Sequence, residues 1–483
     1  MNGDFARVTF SPARHFSQVL LQQGRMLLEA DFNEQGAIHL HFLRTLITDL
    51  VGRGWRAGDA FTLDLPKLKD DFQIKRGHFY VDGILCENES DCTYATQPFG
   101  PVPGADRPLV AEGFVAFIEC WERHVNAAQW RDLREVALGG RDTATRAQIA
   151  WQVRTASEEW AKAQMTAVTA ALDVQINAAA DPAAKAAAQS AKTQATKAGT
   201  AFGNAIGKIG DPGADAANCA AARDFLDALS LATPRLRAVA KRDARNLDPC
   251  AIAADVQYRG RENQLYRVEI HAAGALGEAT LKWSRENGSV VFAIAEEGIT
   301  ADAGVLMVEV EDLGRDRRSG LCEGNWVEIT GNEFEFAEKA PALGQVTKID
   351  RARRVVTLKV NPADPTEFTR CTLLRRWDQS NGLNAAGTID IRESGADDPG
   401  WIQIERGIQV QFLPGGRYRT GDYWLIPARV ASGDILWPKV GTDAAALPPD
   451  GAKRHVAPIG FGKKTGAKWT YTPCGCTQVP LCP

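Results

Sequence analysis

The sequence predicts a mainly β protein of the α+β class, built from several small antiparallel barrel or sandwich modules. Short apolar runs with alternating polarity recur between turn residues, as in FVAFIECWERHV, which is the pattern of half-buried strands. GNWVEIT, GQVTKID and RVVTLKV follow one another closely, as expected for a small antiparallel barrel. The strand pattern is interrupted by an Ala-rich stretch, in which 11 of the 21 residues from Ala178 to Ala198 are Ala. Because Ala, Lys and Gln are strong helix formers, this stretch predicts a helical insertion.

The changes of pattern predict six segments along the chain. They are an N-terminal arm and helix (1–55), a β-rich module (56–155), the Ala-rich helical insertion (156–250), a small barrel-like β-module (251–365), a C-terminal β-meander module (366–465) and a Cys-containing tail (466–483). Within the barrel-like module, Asn287-Gly288 predicts a turn of the hairpin type. Two interpretations of the insertion stay open: a solvated spacer or mobile hairpin, and a hairpin that binds a partner.

The charge balance and the hydropathy exclude several classes of protein. The chain has 56 basic and 60 acidic residues, a net charge of -4, which gives no electrostatic case for nucleic acid or an anionic membrane. No run of about 18 apolar residues occurs, so we expect no membrane insertion. The first residues lack the apolar core of a signal peptide. We therefore expect cytoplasmic synthesis, and mostly reduced thiols for the ten cysteines.

A polar stretch near the start, QQGRMLLEADFNEQ, is the strongest candidate for an interaction site. It predicts an extended arm, a turn at Gly24 and a helix that begins with Asp31 and Glu34 as a capping pair. The helix then continues with apolar residues at helical spacing, Phe32, Leu40, Leu43, Leu46, Ile47 and Leu50, and ends at Gly52-Arg53-Gly54. The predicted interaction residues of this joint are Gln22, Gln23, Gly24, Arg25, Asp31, Asn33, Glu34 and Gln35.

Two roles for this joint stay open. The amides and charges have free hydrogen-bonding groups, which can satisfy the backbone of a neighbouring chain or brace the arm against its own β-module. Arg25 is also placed to pair with Asp31 or Glu34 across the turn.

No motif of a known catalytic type is present, so we predict that the protein is not an enzyme and assign no catalytic residues. His39 and His41 are two residues apart and do not share a helix face as a metalloprotease pair would. The segment from Gly203 to Gly210 has Gly-Lys but no following Ser or Thr, and it lies in a helical context. Glu119 and Glu122 form a carboxylate pair whose spacing in space the sequence does not fix. The aromatic residues of RTGDYWLIP can face a bound sugar. In a β-meander, however, such residues more often lie in the core or at an interface.

The best metal candidate is Cys474, Cys476 and Cys482, with His455 or Cys250 as the fourth ligand. Three thiolates and a fourth ligand suit zinc, although the spacing is not a standard one. A disulfide formed after release from the cell and plain free thiols are the alternatives. Apart from zinc at this cluster, the sequence predicts no cofactor.

Specific motifs run in order along nearly the whole chain. They are GDFARVTFSPARHFSQVLLQQGRMLLEADFNEQ, YVDGILCEN, WERHV, REVALGGRDTATRAQIAWQV, YRGRENQLYRVEIH, KWSRENGSVV, GNWVEIT, RRWDQ and PGGRYRTGDYWLIPAR. With these motifs the sequence resembles an uncharacterised bacterial family known as a domain of unknown function. Members are often encoded near genes of phage-tail-like particles and contractile injection systems, and the N-terminal segment is also similar to the openings of phage tail and fibre proteins. The longer helical insertion and the Cys-containing tail depart from the family.

The resemblance implies a structural or accessory component of a contractile injection system or phage-tail-like particle, at the baseplate, spike or fibre attachment. Its expected partners are other subunits of the particle and a second copy of itself, and it would leave the cell with an extracellular particle. Two alternatives stay open: a cargo protein carried in the particle tube, and a carbohydrate-binding or carbohydrate-cleaving surface protein.

Overall fold

The structure, a computed structural model, describes residues 1–68, 71–100, 113–179, 181–211, 215–241, 258–302, 305–360, 368, 370–395, 399–466 and 468–474. Within these residues the chain is mainly β, with 28 strands, five α-helices and a closed six-stranded barrel. The predicted fold class is confirmed. None of the helices in this part of the chain combines the length and the apolar character needed to cross a membrane.

The helices are named in chain order. In the described residues they are α1 (Glu29–Val51), α2 (Glu158–Ala178), α3 (Pro182–Gly207), α4 (Asp215–Ala228) and α5 (Asn332–Phe336).

The strands of the described residues are named in the same way. They are β1 (Gly54–Arg56), β2 (Leu63–Leu68), β3 (Asp71–Ile74), β4 (Gly77–Val81), β5 (Ile84–Asn88), β6 (Cys92–Thr93), β7 (Gly113–Val125), β8 (Arg134–Glu135), β9 (Arg141–Asp142), β10 (Arg146–Ser157), β11 (Leu236–Ala240), β12 (Gln264–Ala272), β13 (Thr280–Ser284), β14 (Val291–Asp302), β15 (Val305–Val310), β16 (Trp326–Thr330), β17 (Leu343–Asp350), β18 (Val355–Val360), β19 (Leu373–Trp377), β20 (Ile389–Asp390), β21 (Ile402–Gln403), β22 (Ile408–Phe412), β23 (Tyr423–Arg429), β24 (Asp434–Ile435), β25 (Lys439–Val440), β26 (Asp443–Ala444), β27 (Arg454–Thr465) and β28 (Lys468–Pro473).

The chain divides into two compact units, each drawn from three separate stretches. The barrel unit comprises Met1–Arg7, Arg123–Gln148 and Thr233–Ala452, and the helical unit comprises Val8–Glu122, Ile149–Ala232 and Lys453–Pro483. This interleaving was not predicted, and the six consecutive segments proposed from the sequence stay a prediction.

The helical unit is organised around a sheet with the strand order β10-β7-β27-β28. One side of this sheet packs on the small sheets β1-β4-β5 and β2-β3-β6 through buried aromatics such as Phe61, Phe72 and Trp151. The other side packs on the helices of the insertion, where Phe117 and Phe461 of the sheet join Phe202 and Phe225 in one cluster.

The helical insertion is thus part of the core of its unit. Helices α2, α3 and α4 bury a stripe rich in Ala, and Phe202 of α3 lies against Phe225 of α4 with ring centroids 4.1 Å apart. The helix starts follow the sequence, since Ser157 caps α2 and Asp181 caps α3 ahead of Pro182. The interpretation as a solvated spacer or mobile hairpin is therefore wrong, because burial against the sheet fixes these helices. Binding of a partner stays a prediction.

The barrel unit contains the predicted small barrel, which closes in the order β14-β15-β18-β17-β16-β19. Alternate residues of β15 and β18 point inward, and Val308, Val356 and Leu358 are fully buried there. A second core lies under the five-stranded sheet β20-β13-β12-β23-β24, around Trp283 and Trp424.

The turn at Asn287-Gly288 has the predicted conformation but not the predicted role. Both residues have positive φ, 51° and 64°. However, β13 before the turn pairs with β12 and β20, whereas β14 after it pairs with β15 and β19. The hairpin prediction is wrong because the turn carries the chain from the five-stranded sheet into the barrel.

Candidate functional site

The N-terminal arm, residues 8–28, contains no strand and is held by the helix that follows it. Thr9 Oγ1 donates a hydrogen bond of 2.7 Å to the carboxylate of Glu34. The backbone N–H of Val19 donates one of 2.7 Å to Gln35 Oε1. Glu34 and Gln35 therefore tie the arm to α1 of their own chain. The two roles left open for the joint, binding of a neighbouring chain and bracing of the arm against the β-module, stay predictions.

The turn at Gly24 is present as predicted. Gly24 has φ +69°, and no atom lies within 4 Å of the position that a Cβ would occupy. The glycine therefore serves the backbone conformation and does not make room for a neighbour.

The remaining polar residues of the joint point to solvent. Gln22, Gln23, Arg25 and Asn33 are exposed, and within the described residues no hydrogen bond or ion pair involves their side chains. The predicted pairing of Arg25 with Asp31 or Glu34 is wrong, because Glu34 is engaged by Thr9 instead. These four side chains stay available to a partner.

Helix α1 begins earlier than predicted. Its first residue is Glu29, and Leu28 in the capping position offers no side-chain hydrogen bond. Asp31 is therefore not a cap but lies in the first turn, where a carboxylate is favoured by the helix dipole. The capping pair Asp31 and Glu34 is wrong, and the predicted end of the helix is confirmed by Gly52, which has φ +84°.

One face of α1 is fixed to the helical unit. Ala30 and Ile38 are buried on this face. In the middle of the helix, Arg44 donates two hydrogen bonds, of 3.2 and 2.8 Å, to the carboxylate of Glu122. The β4–β5 turn comes so close that a Cβ on Gly83 would lie 2.2 Å from the carbonyl oxygen of Arg44. The helix is thus seated by a close backbone approach and a bidentate ion pair.

The opposite face of α1 exposes large apolar side chains, and so does the arm before it. Phe32 is 74% exposed and Leu46 55%, while Met26 in the arm is 85% exposed. Within residues 16–50, which are all described, twelve such side chains are exposed: Phe16, Leu20, Leu21, Met26, Leu27, Leu28, Phe32, Leu40, Phe42, Leu43, Leu46 and Leu50. We call the exposed residues of 16–50 the N-terminal surface.

An apolar surface of this extent is characteristic of a binding site. Scattered exposed apolar residues are ordinary, but a contiguous set along one helix face and an adjacent arm marks a site of protein or membrane interaction. The helical periodicity in the sequence was read correctly, yet it gave no sign that the apolar side would face water.

Comparisons with known proteins place the chain in a family. A family model described as a family of unknown function, DUF6519, matches residues 1–483. The chain belongs to the DUF6519 family. The resemblance to a family of unknown function is confirmed in this form, and the association with contractile particles stays a prediction.

The other comparisons add no function. No curated protein matches the sequence of this DUF6519 protein. A solved structure titled "Crystal structure of TssK" matches with a TM-score of 0.17 and 8% sequence identity, over 82% of this chain and 98% of that chain. A TM-score this low carries no argument about fold or function.

The motif YVDGILCEN of this DUF6519 protein forms an ionic node beside α1. Asp82 accepts a hydrogen bond of 2.8 Å from Arg53 Nε, and its second oxygen lies 2.8 Å from His455 Nδ1. Arg53 also binds both carboxylate oxygens of Asp227, at 2.6 and 3.1 Å. Burial alone would raise the pKa of Asp82, but the hydrogen bonds from His455 and Arg53 outweigh it and the pKa is lowered.

Other family motifs build a buried ionic cluster in the barrel unit. Glu269 of β12 accepts a hydrogen bond from Arg267 Nε and lies 3.2 Å from Lys282 Nζ, and Lys282 also binds Glu328 of β16. All four side chains are buried. Burial opposes the charge on Glu269, but the neighbouring charges of Arg267 and Lys282 keep its pKa below the ordinary value. Each charge of this set thus has an oppositely charged partner, and we assign the set no chemistry.

The turn residue Asn287 has a role that the sequence did not reveal. Its side-chain amide donates hydrogen bonds of 3.0 Å to the carbonyl oxygens of Met1 and Gly3. The motif RENG therefore secures the first residues of the chain within the barrel unit.

The metal prediction is corrected at Cys474, which forms a disulfide with Cys219 of α4. A sulfur in a disulfide is not the thiolate that zinc requires. Cys250, Cys476 and Cys482 lie outside the described residues, and His455 binds Asp82. In the described part of the chain no three His, Cys, Asp or Glu side chains come together as a metal site would need.

The two candidate carboxylates, Glu119 and Glu122, both form ion pairs within the protein. Glu119 is buried with Arg154 and Arg454, whereas Glu122 binds Arg44, so each carboxylate has its own cation.

The aromatic candidates are buried, and the two histidine candidates contact residues of their own chain. Tyr423 and Trp424 of RTGDYWLIP are buried and do not face a sugar. His39 is hydrogen-bonded to Gln35, and His41 lies against Phe10.

Proposed function

We propose that this DUF6519 protein is a non-enzymatic structural or accessory subunit of a contractile injection system or phage-tail-like particle. In this proposal it attaches near the baseplate, spike or fibre through its N-terminal surface. The observation that carries the proposal is the exposure of twelve large apolar side chains within residues 16–50.

The size of the N-terminal surface supports a stable protein interface. Residues 16–50 include 25 exposed residues, and a specific protein interface of standard size uses about 20–30 residues on each side. Burial of each large apolar side chain contributes about 1.5–3 kcal/mol before the costs of association. The twelve apolar side chains are therefore the main favourable contribution that such an interface would have.

The contacts that hold the N-terminal surface in place also favour assembly. Arg44 and Gly83 seat the helix, and Glu34 and Gln35 hold the arm along it. A binding element that is held in place before binding loses less conformational entropy when the partner arrives.

The type of particle is proposed from the family resemblance. The motifs that carry this resemblance extend over nearly the whole chain, and the resemblance implies an association with contractile and phage-tail-like particles. This association is an expectation from the resemblance, and the test must therefore be made on particles.

The test uses purified particles from a strain that encodes this protein. We expect mass spectrometry to detect the protein in intact particles, and deletion of its gene to reduce the yield of complete particles. Particles that form normally without it but lose their contents would instead make it a cargo protein. Its absence from intact particles would refute the proposal.

A pair of variants ties the test to the surface. Leu20→Glu with Leu21→Glu introduces charge into the exposed arm and should abolish incorporation into particles. Val136→Glu with Leu138→Glu is the control, since these side chains are also exposed but lie in the barrel unit. Equal incorporation of both double variants would contradict attachment through the arm.

A further inference from the structure

The exposed face of α1 has the spacing of a coiled-coil seam. Positions 32, 36, 39, 43, 46 and 50 follow one another at intervals of four and three residues, which is the spacing of the a and d positions of a heptad repeat. Four of these positions hold Phe or Leu, and positions 36 and 39 hold Gly and His. The residues that hold α1 to its own chain, including Ala30, Ile38 and Arg44, lie off this seam. A second helix can therefore pack here without displacing them.

The seam contains a glycine that its own chain does not require. Gly36 lies inside the helix, where glycine is unfavourable. No atom lies within 4 Å of the position of its absent Cβ, and its φ is not in the left-handed region. The result is an open notch in the middle of an apolar face.

The side chains along the seam fit those of a second copy of the seam that runs in the opposite direction. If two copies of α1 run antiparallel with their centres at residue 41, Phe32 lies opposite Leu50, Gly36 opposite Leu46, and His39 opposite Leu43. Each small or polar position then meets a leucine, which gives the alternation of large and small side chains that close helix packing requires. A parallel pair would instead place Gly36 against Gly36 and His39 against His39, which leaves a gap in the seam.

The charges do not oppose this pairing. Of the charged residues of α1, Asp31, Glu34, Arg44 and Asp49 lie off the seam, and Glu29 lies one turn before its first position. Antiparallel helices also place the positive end of each dipole beside the negative end of the other. The seam thus has no like charges that must be buried at its centre.

We infer that the partner of α1 is a second copy of this chain, bound as an antiparallel two-helix coiled coil. The helix is about 34 Å long, so the pair forms three heptads with a twofold axis beside residue 41. The apolar arm residues flank both ends of the seam. This inference deepens the proposed function, because it rests on the N-terminal surface being a protein interface and names its first occupant.

The first test is the oligomeric state of the purified full chain, measured by analytical ultracentrifugation at micromolar concentrations. We expect a dimer, and a monomer for Leu43→Glu with Leu46→Glu. The control, Val136→Glu with Leu138→Glu, should stay dimeric. A monomeric wild-type protein would overturn the inference, as would a dimer that survives both seam substitutions.

The second test determines the direction of the helices. Gly36→Leu fills the notch and should weaken an antiparallel dimer about tenfold or more, because overpacked cores are strained. Adding Leu46→Ala should restore association. In a parallel pair, Gly36→Leu would add a leucine layer and strengthen the dimer, which would refute the antiparallel arrangement.

The failure of this inference is distinguishable from that of the proposed function. If the seam variants stay monomeric but still enter particles, the dimer is not needed for attachment and the arm carries it. If a monomeric wild-type protein enters particles, the proposed function stands and the inferred dimer is wrong.

Discussion

Helix α1 exposes its apolar face to water, whereas the helices of the insertion bury theirs, although both belong to the helical unit. The insertion buries a stripe rich in Ala, with Phe202 and Phe225 at its centre. Helix α1 also carries Phe and Leu side chains, yet it exposes them and buries Ala30 and Ile38. Side-chain size therefore does not decide which helix is covered. The insertion lies on the sheet of strands β7 and β27, whereas α1 is seated by a turn and an ion pair.

The largest test of this comparison is a pair of truncations. Phe202→Ala should cost about 3–5 kcal/mol of unfolding free energy, because it opens a cavity in a fully buried cluster. Leu43→Ala on α1 should change the stability of the dilute monomer by less than about 0.5 kcal/mol. Denaturant unfolding of both variants measures this difference, and similar losses would mean that the exposed face of α1 is covered within the chain.

The disulfide tests whether the insertion is fastened covalently while α1 is not. Cys219→Ser removes the bond to Cys474 across a separation of 255 residues and should cost about 2–5 kcal/mol. Reductant should lower the melting temperature of the wild type to that of the variant. Cys322→Ser, at a free cysteine, is the control and should leave the effect of reductant unchanged; a wild type insensitive to reductant would contradict the prediction.

A third prediction concerns the seat of α1. Gly83→Ala should cost about 1–3 kcal/mol and loosen α1, because the new Cβ would meet the backbone of Arg44. Gly24→Ala is a matched control, since its φ of +69° is similar to the +75° of Gly83 but its Cβ would meet open space. Hydrogen exchange should increase across α1 in the first variant and stay unchanged in the second. Equal exchange in both would show that strain in φ, not contact with α1, determines the loss.

The smallest effect is expected at the ionic node that joins the ends of α1 and α4 through Arg53. Because the pKa of Asp82 is lowered in the folded protein, its contribution is present above its unfolded pKa and disappears as the pH falls through the folded value. Asp82→Asn should therefore cost about 1 kcal/mol or less at neutral pH, since the group is partly exposed. The difference from the wild type should shrink below about pH 4. A difference that stays constant across this range would rule out the carboxylate charge as its source.

Much of the fold followed from local patterns. The alternation in WVEIT and VVTLKV predicted barrel strands, and the Ala-rich stretch predicted helices. Both patterns are local, because each reflects a single strand or helix that buries one side in a core. The turn at Asn287-Gly288 was recognised from its residues, but its role as a link between two sheets was not. Pairing between distant strands, such as β7 with β27, depends on contacts that no local window contains.

The candidate site was located by the sequence but only partly understood from it. The stretch from Gln22 to Gln35 was correctly placed at an arm, a glycine turn and a helix start. The sequence could not distinguish Gln35, which binds the arm, from Gln22 and Gln23, which face solvent. The disulfide of Cys219 with Cys474 was also missed, because 255 residues separate its two cysteines.

By itself, the sequence determined that this segment forms a helix with an apolar side that ends at Gly52, since helical spacing and the glycine at its end are local properties. The tertiary structure decided which side of that helix is covered. A periodic apolar face indicates that a helix packs against another surface, but it does not indicate whether that surface belongs to the same chain. Here Gly83, Glu122 and the arm occupy the opposite side of α1, so its leucines and phenylalanines face solvent.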